Sequence, residues 1–417
     1  MQKTRHRNIV RLALPVILGL GASSAALAQQ VGDKSWTITP STEFRLFTWE
    51  STRRFPTTGV VTRERGTQTN IPFAIQLKGQ PSTDFKFDVT ARTGFTTSSI
   101  SNAGASSSYA GTTDTSLSGT ANYLGFAGFQ PFLSLALNLP TGRSNLKSSA
   151  NSKGDSDLVM LPVFGEGFNI GPTIGVNVPI NENWAGSFGV GYTNRGTFDR
   201  EGPALGIPPT QKLNPGDVLT GTASLSYRGQ QLSLKASIAY STESTTRLDN
   251  VDYYKSGDRV VLQLAAGYGF TENWSAKAQA SFSHFAANKI QNAFGLPPIS
   301  TEAFNSNSNL FKINGGVTYA ANGYSIGPVV GFLYRDRNGY DPTTFQFVSA
   351  KKSWTAGLAA SYQPTSMIQL SARVEHLWAF EDSGPDKAPF GIPIPGSAPP
   401  SVRTNGWQAS ASGLIKF

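Results

Sequence analysis

The chain reads as all-β: a transmembrane antiparallel β-barrel of about sixteen strands. Three observations predict it. Segments in which every second residue is apolar recur along the whole length, which is the period of a strand between two different solvents. The connections between them alternate between short and long. Charged residues make up only 15% of the chain, against roughly 25% in soluble domains, and Gly reaches 43. Beyond the N-terminal region no stretch has the ~20 apolar residues of a membrane helix, so a membrane reading requires a closed barrel.

The N-terminus has the form of a secretory signal peptide. Lys3, Arg5, Arg7 and Arg11 precede the apolar run Leu12–Leu20, and Ala26-Leu27-Ala28 is an A-x-A cleavage site. Residues 1–28 are therefore expected to be removed, leaving one domain, 29–417. Removing four cations from a net charge of +9 leaves a mildly basic chain with no basic cluster, so no nucleic-acid partner is expected. There is no Cys, which excludes disulfides and thiolate metal sites.

Strands are expected at 36–49, 71–79, 84–95, 115–127, 131–139, 170–180, 184–194, 217–228, 231–241, 258–270, 274–286, 309–320, 323–335, 351–362, 367–380 and 406–417. The stretch Asp84–Phe95 is the clearest. Phe85, Phe87, Val89, Ala91 and Phe95 share one face, and Asp84, Lys86, Asp88, Thr90 and Arg92 share the other. Lipid outside and water inside would produce that division. Short turns such as 181–183 and 271–273 alternate with long loops at 50–70, 96–114, 140–169, 287–308 and 381–405. Ile180-Asn181-Glu182-Asn183-Trp184 recurs as Phe270-Thr271-Glu272-Asn273-Trp274, each opening a strand with Trp. In this register Trp184, Trp274, Tyr324 and Phe417 form one aromatic belt. Trp49, Trp354, Trp378 and Trp407 form the other, because amphipathic rings favour the headgroup region.

The last strand alternates Trp407, Ala409, Ala411, Gly413, Ile415 and Phe417 with more polar neighbours. A terminal Phe on such a strand resembles the C-terminal signature of bacterial outer-membrane β-barrel proteins of the porin type. The resemblance implies an outer-membrane location, short periplasmic turns and long extracellular loops. It also implies handling of Phe417 by the barrel-assembly machinery, contact with membrane lipid and lipopolysaccharide, and assembly as a homotrimer.

Parity assigns Lys86, Arg92, Lys235, Lys277, Arg335 and Arg373 to the lumen, with the acids Asp84, Asp88 and Glu375. A wall biased towards cations concentrates anions in a water-filled pore. Mutual pairing, as between Arg373 and Glu375, is the alternative. The loop 140–169 holds Arg143, Lys147, Lys153, Asp155, Asp157 and Glu166, together with the apolar run Leu158–Phe164. In position and length it resembles the third loop of sixteen-stranded general porins, which folds inward to form a constriction. The alternative is that 158–164 extends the following strand upward. A second, local resemblance rests on Asn138-Leu139-Pro140-Thr141-Gly142, Ile170-Gly171-Pro172, the Glu-Asn-Trp turn and Gly191-Tyr192-Thr193-Asn194. These are similar to segments of outer-membrane proteins associated with aromatic-compound degradation, which implies uptake of hydrophobic compounds.

Beyond the signal region only His284 and His376 remain, both with outward parity. Serines near His376, namely Ser353, Ser410 and Ser412, have inward parity, so no nucleophile meets an imidazole and no enzyme activity is expected. No metal or cofactor is expected either. The sequence thus predicts a passive channel for small hydrophilic solutes with a weak anion preference. A channel for hydrophobic or aromatic compounds, and a non-conducting structural or adhesive barrel, stay as alternatives.

Overall fold

The computed structural model describes residues 36–102, 105–142, 157–158, 165–201, 210–291, 297–388, 392 and 394–417. The expected signal peptide lies outside the described residues. In chain order the strands are β1 (Trp36–Arg54), β2 (Val61–Gly79), β3 (Phe85–Asn102), β4 (Ala105–Thr112), β5 (Thr115–Tyr123), β6 (Gln130–Leu139), β7 (Asn169–Pro179) and β8 (Trp184–Arg195). Then come β9 (Phe198–Glu201), β10 (Thr210–Asn214), β11 (Val218–Arg228), β12 (Leu232–Glu243), β13 (Thr246–Leu248), β14 (Val251–Lys255), β15 (Arg259–Gly269) and β16 (Trp274–Phe285). The chain finishes with β17 (Lys289–Ile290), β18 (Ser300–Thr301), β19 (Leu310–Ala321), β20 (Tyr324–Arg335), β21 (Lys351–Tyr362), β22 (Ile368–Glu381) and β23 (Ser401–Ile415).

Sixteen of these form the wall, each antiparallel to its neighbours, and β1 pairs with β23 to close it. Closure leaves no unpaired wall edge, which a lipid environment requires. The final residue completes the seam: Phe417 and Ile38 exchange backbone hydrogen bonds of 3.0 and 3.3 Å.

The short turns share one device. Asn181 Oδ1 accepts the backbone N–H groups of Asn183 and Trp184 at 2.9 Å. Thr271 Oγ1 does the same for Asn273 and Trp274, and Thr365 for Met367 and Ile368. Short polar side chains satisfy the turn's own donors here, so the repeated motif is turn chemistry. Asn322 and Gly323 (φ 51° and 80°) make a two-residue hairpin turn, which requires positive φ at both positions.

The large exposed apolar residues lie on one parity of each strand, as Tyr324, Ile326 and Val330 do on β20. That parity faces outward, and the opposite one faces the lumen. At the short-turn end outward rings touch in pairs across neighbouring strands: Phe85–Tyr123 at 5.2 Å, Trp184–Tyr227 at 4.9 Å, Trp274–Tyr319 at 5.1 Å and Tyr324–Tyr362 at 4.3 Å. At the other end Phe332–Trp354 and Trp354–Phe380 do the same, at 5.2 and 6.1 Å. An apolar outer band between two aromatic girdles, on an even number of strands, is the build of an outer-membrane barrel.

Two expectations need correction. Segments 50–70 and 96–114 are not loops. β1 and β2 run for 19 residues each, β3 for 18, and β4 pairs with the upper half of β3. This exceeds the 9–11 residues that cross a bilayer, so these hairpins rise beyond it. Here the inward residues, such as Ser51, Gln68, Thr96 and Ser98, are buried but polar like their outward neighbours, so the alternation of apolar and polar residues fades while the ladder persists. In addition β9, β10, β13, β14, β17 and β18 pair into a six-stranded rim sheet drawn from three successive loops.

Candidate functional site

The lumen and its third loop are the candidate site. Asp114, in the bend between β4 and β5, holds both feet of the 140–169 loop. Its Oδ1 accepts the N–H of Gly142 (2.8 Å) and of Gly165 (3.0 Å). Its Oδ2 accepts the N–H of Glu166 and Nδ2 of Asn138, both at 2.9 Å. Four donors on one buried carboxylate make a charge-assisted clamp.

The described tip of that loop, Asp157–Leu158, lies against the opposite wall. β6 and β7 carry the feet; β20, β21 and β23, about half the circumference away, receive the tip. Arg335 Nη1 donates to Asp157 Oδ2 at 2.6 Å, and Lys351 Nζ to the same oxygen at 3.3 Å. Glu381 lies 3.6 Å from Arg335 and 3.4 Å from Lys351. Two cations and two anions thus alternate, and both cation side chains are under 10% exposed. Gln408 Nε2 donates to the Leu158 carbonyl at 3.1 Å. The Leu158 side chain packs on an inward apolar cluster of Phe47, Trp49, Leu377 and Ala379. Phe47 and Trp49 are stacked with centroids 5.0 Å apart.

Trp49 is therefore not a belt residue. Unbroken parity from Ile38 along β1 turns it inward, and Gly66 on β2 leaves the space its ring fills: a Cβ there would lie inside the indole. Asp84 sits in the turn before β3 and not on the wall. Lys86, Asp88 and Arg92 have inward parity on β3, Lys235 on β12, Lys277 on β16, and Arg373 and Glu375 on β22. Several of these are paired. Lys78 lies 3.6 Å from Asp88, and Arg373 makes a two-point contact with Glu375 at 2.6 and 2.8 Å. Lys86, Arg92, Lys235 and Lys277 have no ion pair with any described residue. Lys86, Lys235 and Lys277 all lie within four residues of the short-turn end of their strands.

Arg143, Lys147, Lys153 and Asp155 lie outside the described residues. Glu166 is at the foot of the loop, next to Asp114 and Arg195, well away from the tip. Burial raises its pKa, and the Arg195 guanidinium opposes that shift. Trp184, Trp274, Tyr324, Trp354, Trp378, Trp407 and Phe417 all point away from the lumen. His376 is on the outer face, 4.3 Å from the Trp378 ring and 4.7 Å from Trp407. His284 Nδ1 lies 2.7 Å from Asn309 Oδ1.

Asp114, Lys351, Glu381 and Gln408 were missed at the sequence level. Counting back from outward Trp354 gives Lys351 inward parity, so that residue was findable. Nothing local marks Asp114, whose donors come from residues up to 52 positions away.

No family model matches the chain, and no curated protein matches it in sequence. Among solved structures, similarity is found to a FadL homologue of Pseudomonas aeruginosa, with TM-score 0.43 and 10% identity over 92% of this chain and 90% of that one. Pseudomonas aeruginosa OpdQ gives a TM-score of 0.40 at 10% identity, over 91% of this chain and 99% of that one. An outer-membrane channel of Pseudomonas putida F1 gives 0.39 at 12% identity, over 60% and 88%. Likeness at this level carries neither residue roles nor solutes across.

Proposed function

We propose that the protein is an outer-membrane channel through which small hydrophilic solutes diffuse passively, with a weak preference for anions. A sixteen-stranded barrel leaves an aqueous lumen unless a loop fills it. The observation that carries the reading is Asp157 held by Arg335 and Lys351, which brings the loop against the inner wall at that level. Below that level the inward face is polar. Ser325, Ser361, Ser371, Arg373, Ser410 and Ser412 border a recess of about 300 Å³. The unpaired lysines near the short-turn end add positive potential, which favours anions.

A second reading has its own support. Phe47, Trp49 and Leu377 put an apolar patch at the level of Asp157, beside two cations. A channel for hydrophobic or aromatic compounds would use such a patch. Liposome swelling separates the two. The hydrophilic-pore reading predicts swelling in small sugars that falls steeply with sugar size. No swelling from correctly inserted protein, with uptake of a radiolabelled aromatic compound, favours the second reading.

A further inference from the structure

The recess of about 300 Å³ on the inner wall is bordered by hydroxyls in a fixed order. Ser325 (β20), Ser361 (β21), Ser371 (β22) and Ser412 (β23) stand directly opposite one another across four strands, with Glu43 of β1 next in line. Two residues nearer the loop end, Arg373 (β22) stands opposite Ser410 (β23), and Ser410 opposite Arg45 (β1). Neighbouring strands are about 4.8 Å apart, so the four serines span roughly 14 Å. Ser325 and Ser361 share a hydrogen bond of 2.7 Å. Ser371, Ser410, Ser412 and Thr318, which borders the recess on β19, make none with a described residue.

The charges beside these hydroxyls cancel. Arg373 gives Nε and Nη2 to Glu375 at 2.6 and 2.8 Å, and Arg45 gives Nη2 to Glu43 at 2.6 Å. Lys277, on β16, leans the other way, with its Cγ 3.9 Å from where a Gly267 Cβ would lie on β15. Lys416 is four residues beyond Ser412, at the end of the chain. The Arg373 side chain is 43% exposed and that of Glu375 only 7%, so the guanidinium faces the recess with N–H groups to spare and the carboxylate lies beneath it. None of the bordering residues is aromatic. Free hydroxyls beside balanced ion pairs, in a recess at the small end of ligand pockets, match a small neutral molecule with many hydroxyls. They match an anion or an apolar compound less well.

We propose that this recess is a subsite for a neutral polyol of monosaccharide size. Ser371, Ser410 and Ser412 exchange hydrogen bonds with its hydroxyls, and Arg373 donates to one of them. The inference rests on the open-lumen reading, since a solute reaches the inner wall through the lumen. Binding is weak, about millimolar, so that the solute leaves again.

The test measures glucose binding to the purified protein in detergent by saturation-transfer NMR, with single-channel recording of the same preparation. The expected result is stable conductance steps and a saturable glucose signal that sorbitol displaces. Gluconate, the anionic counterpart, should compete no better than sorbitol. Ser371→Ala/Ser410→Ala/Ser412→Ala should weaken glucose binding about tenfold. Ser187→Ala/Ser224→Ala/Ser237→Ala removes a similar row from β8, β11 and β12, where no arginine–glutamate pair stands beside it, and should leave binding unchanged. Heat-modifiable migration verifies that both variants fold. Conductance without a saturable glucose signal would overturn the proposal and leave the channel standing. Equal loss in the two triple variants would also overturn it, because the signal would then come from general wetting of the wall. Much tighter binding of gluconate would overturn it by showing that the recess reads charge. Absence of conductance steps would overturn the channel reading and this inference with it.

Discussion

Asp157 and Arg335 are 178 positions apart in the chain and are held 2.6 Å apart across the barrel. One residue comes from a loop whose feet are on β6 and β7; the other ends β20, on the far wall. Lys351 and Glu381 complete the contact, so the loop is tied at Asp157 as well as at its feet.

Asp157→Asn removes the anion that Arg335 and Lys351 share and leaves Glu381 between the two cations. Breaking a buried charged hydrogen bond costs about 2–3 kcal/mol. The tip should leave the wall, so single-channel conductance rises and anion preference increases. Arg335→Met/Asp157→Leu keeps an apolar contact at the same place and should conduct more like wild type. Paired conductance recordings of the two variants check this.

Asp114→Ala frees both feet at once. Loss of its four hydrogen bonds should destabilise the loop by about 3 kcal/mol without unfolding the wall, whose ladder it does not join. Limited proteolysis should cut within 140–169 much faster than in wild type, while the heat-modifiable migration of the folded barrel is unchanged.

Lys86→Glu/Lys235→Glu/Lys277→Glu reverses the charge of cations that have no acidic partner among the described residues. The reversal potential under a salt gradient should move towards cation preference. The change should be large at 0.1 M salt and small at 1 M, because the screening length falls from about 10 Å to about 3 Å.

Tyr340, in the segment between β20 and β21, is pushed up from 10.0 to about 12 by burial and by the Glu302 carboxylate, which accepts its hydroxyl at 3.4 Å. The folded state therefore holds this proton more tightly than the unfolded chain. Its contribution is complete below pH 10 and is lost as pH rises towards 12. Tyrosinate absorbance should show one fewer late-titrating group in Tyr340→Phe than in wild type.

The wall was legible wherever the bilayer imposes two solvents on one strand. Every wall strand from β5 to β22 lies within a few residues of its expected range, since a lipid face tolerates few charges. The upper halves of β1–β4 and the rim sheet were not legible, because polar residues on both faces, buried inward ones such as Gln68 and Thr96 included, erase the period of two. Trp49 was misassigned for its height, although parity from Ile38 fixes it inward. The destination of the third loop could not be read, because Asp157 resembles any loop acid until Arg335, Lys351 and Gln408 are brought to it by closure of the barrel.

Single-channel recording of the purified protein in a planar bilayer, under a salt gradient, tests the central claim most directly. The account predicts stable conductance steps with a reversal potential on the anion-preferring side. Folded, inserted protein that gives no steps would contradict an open pore.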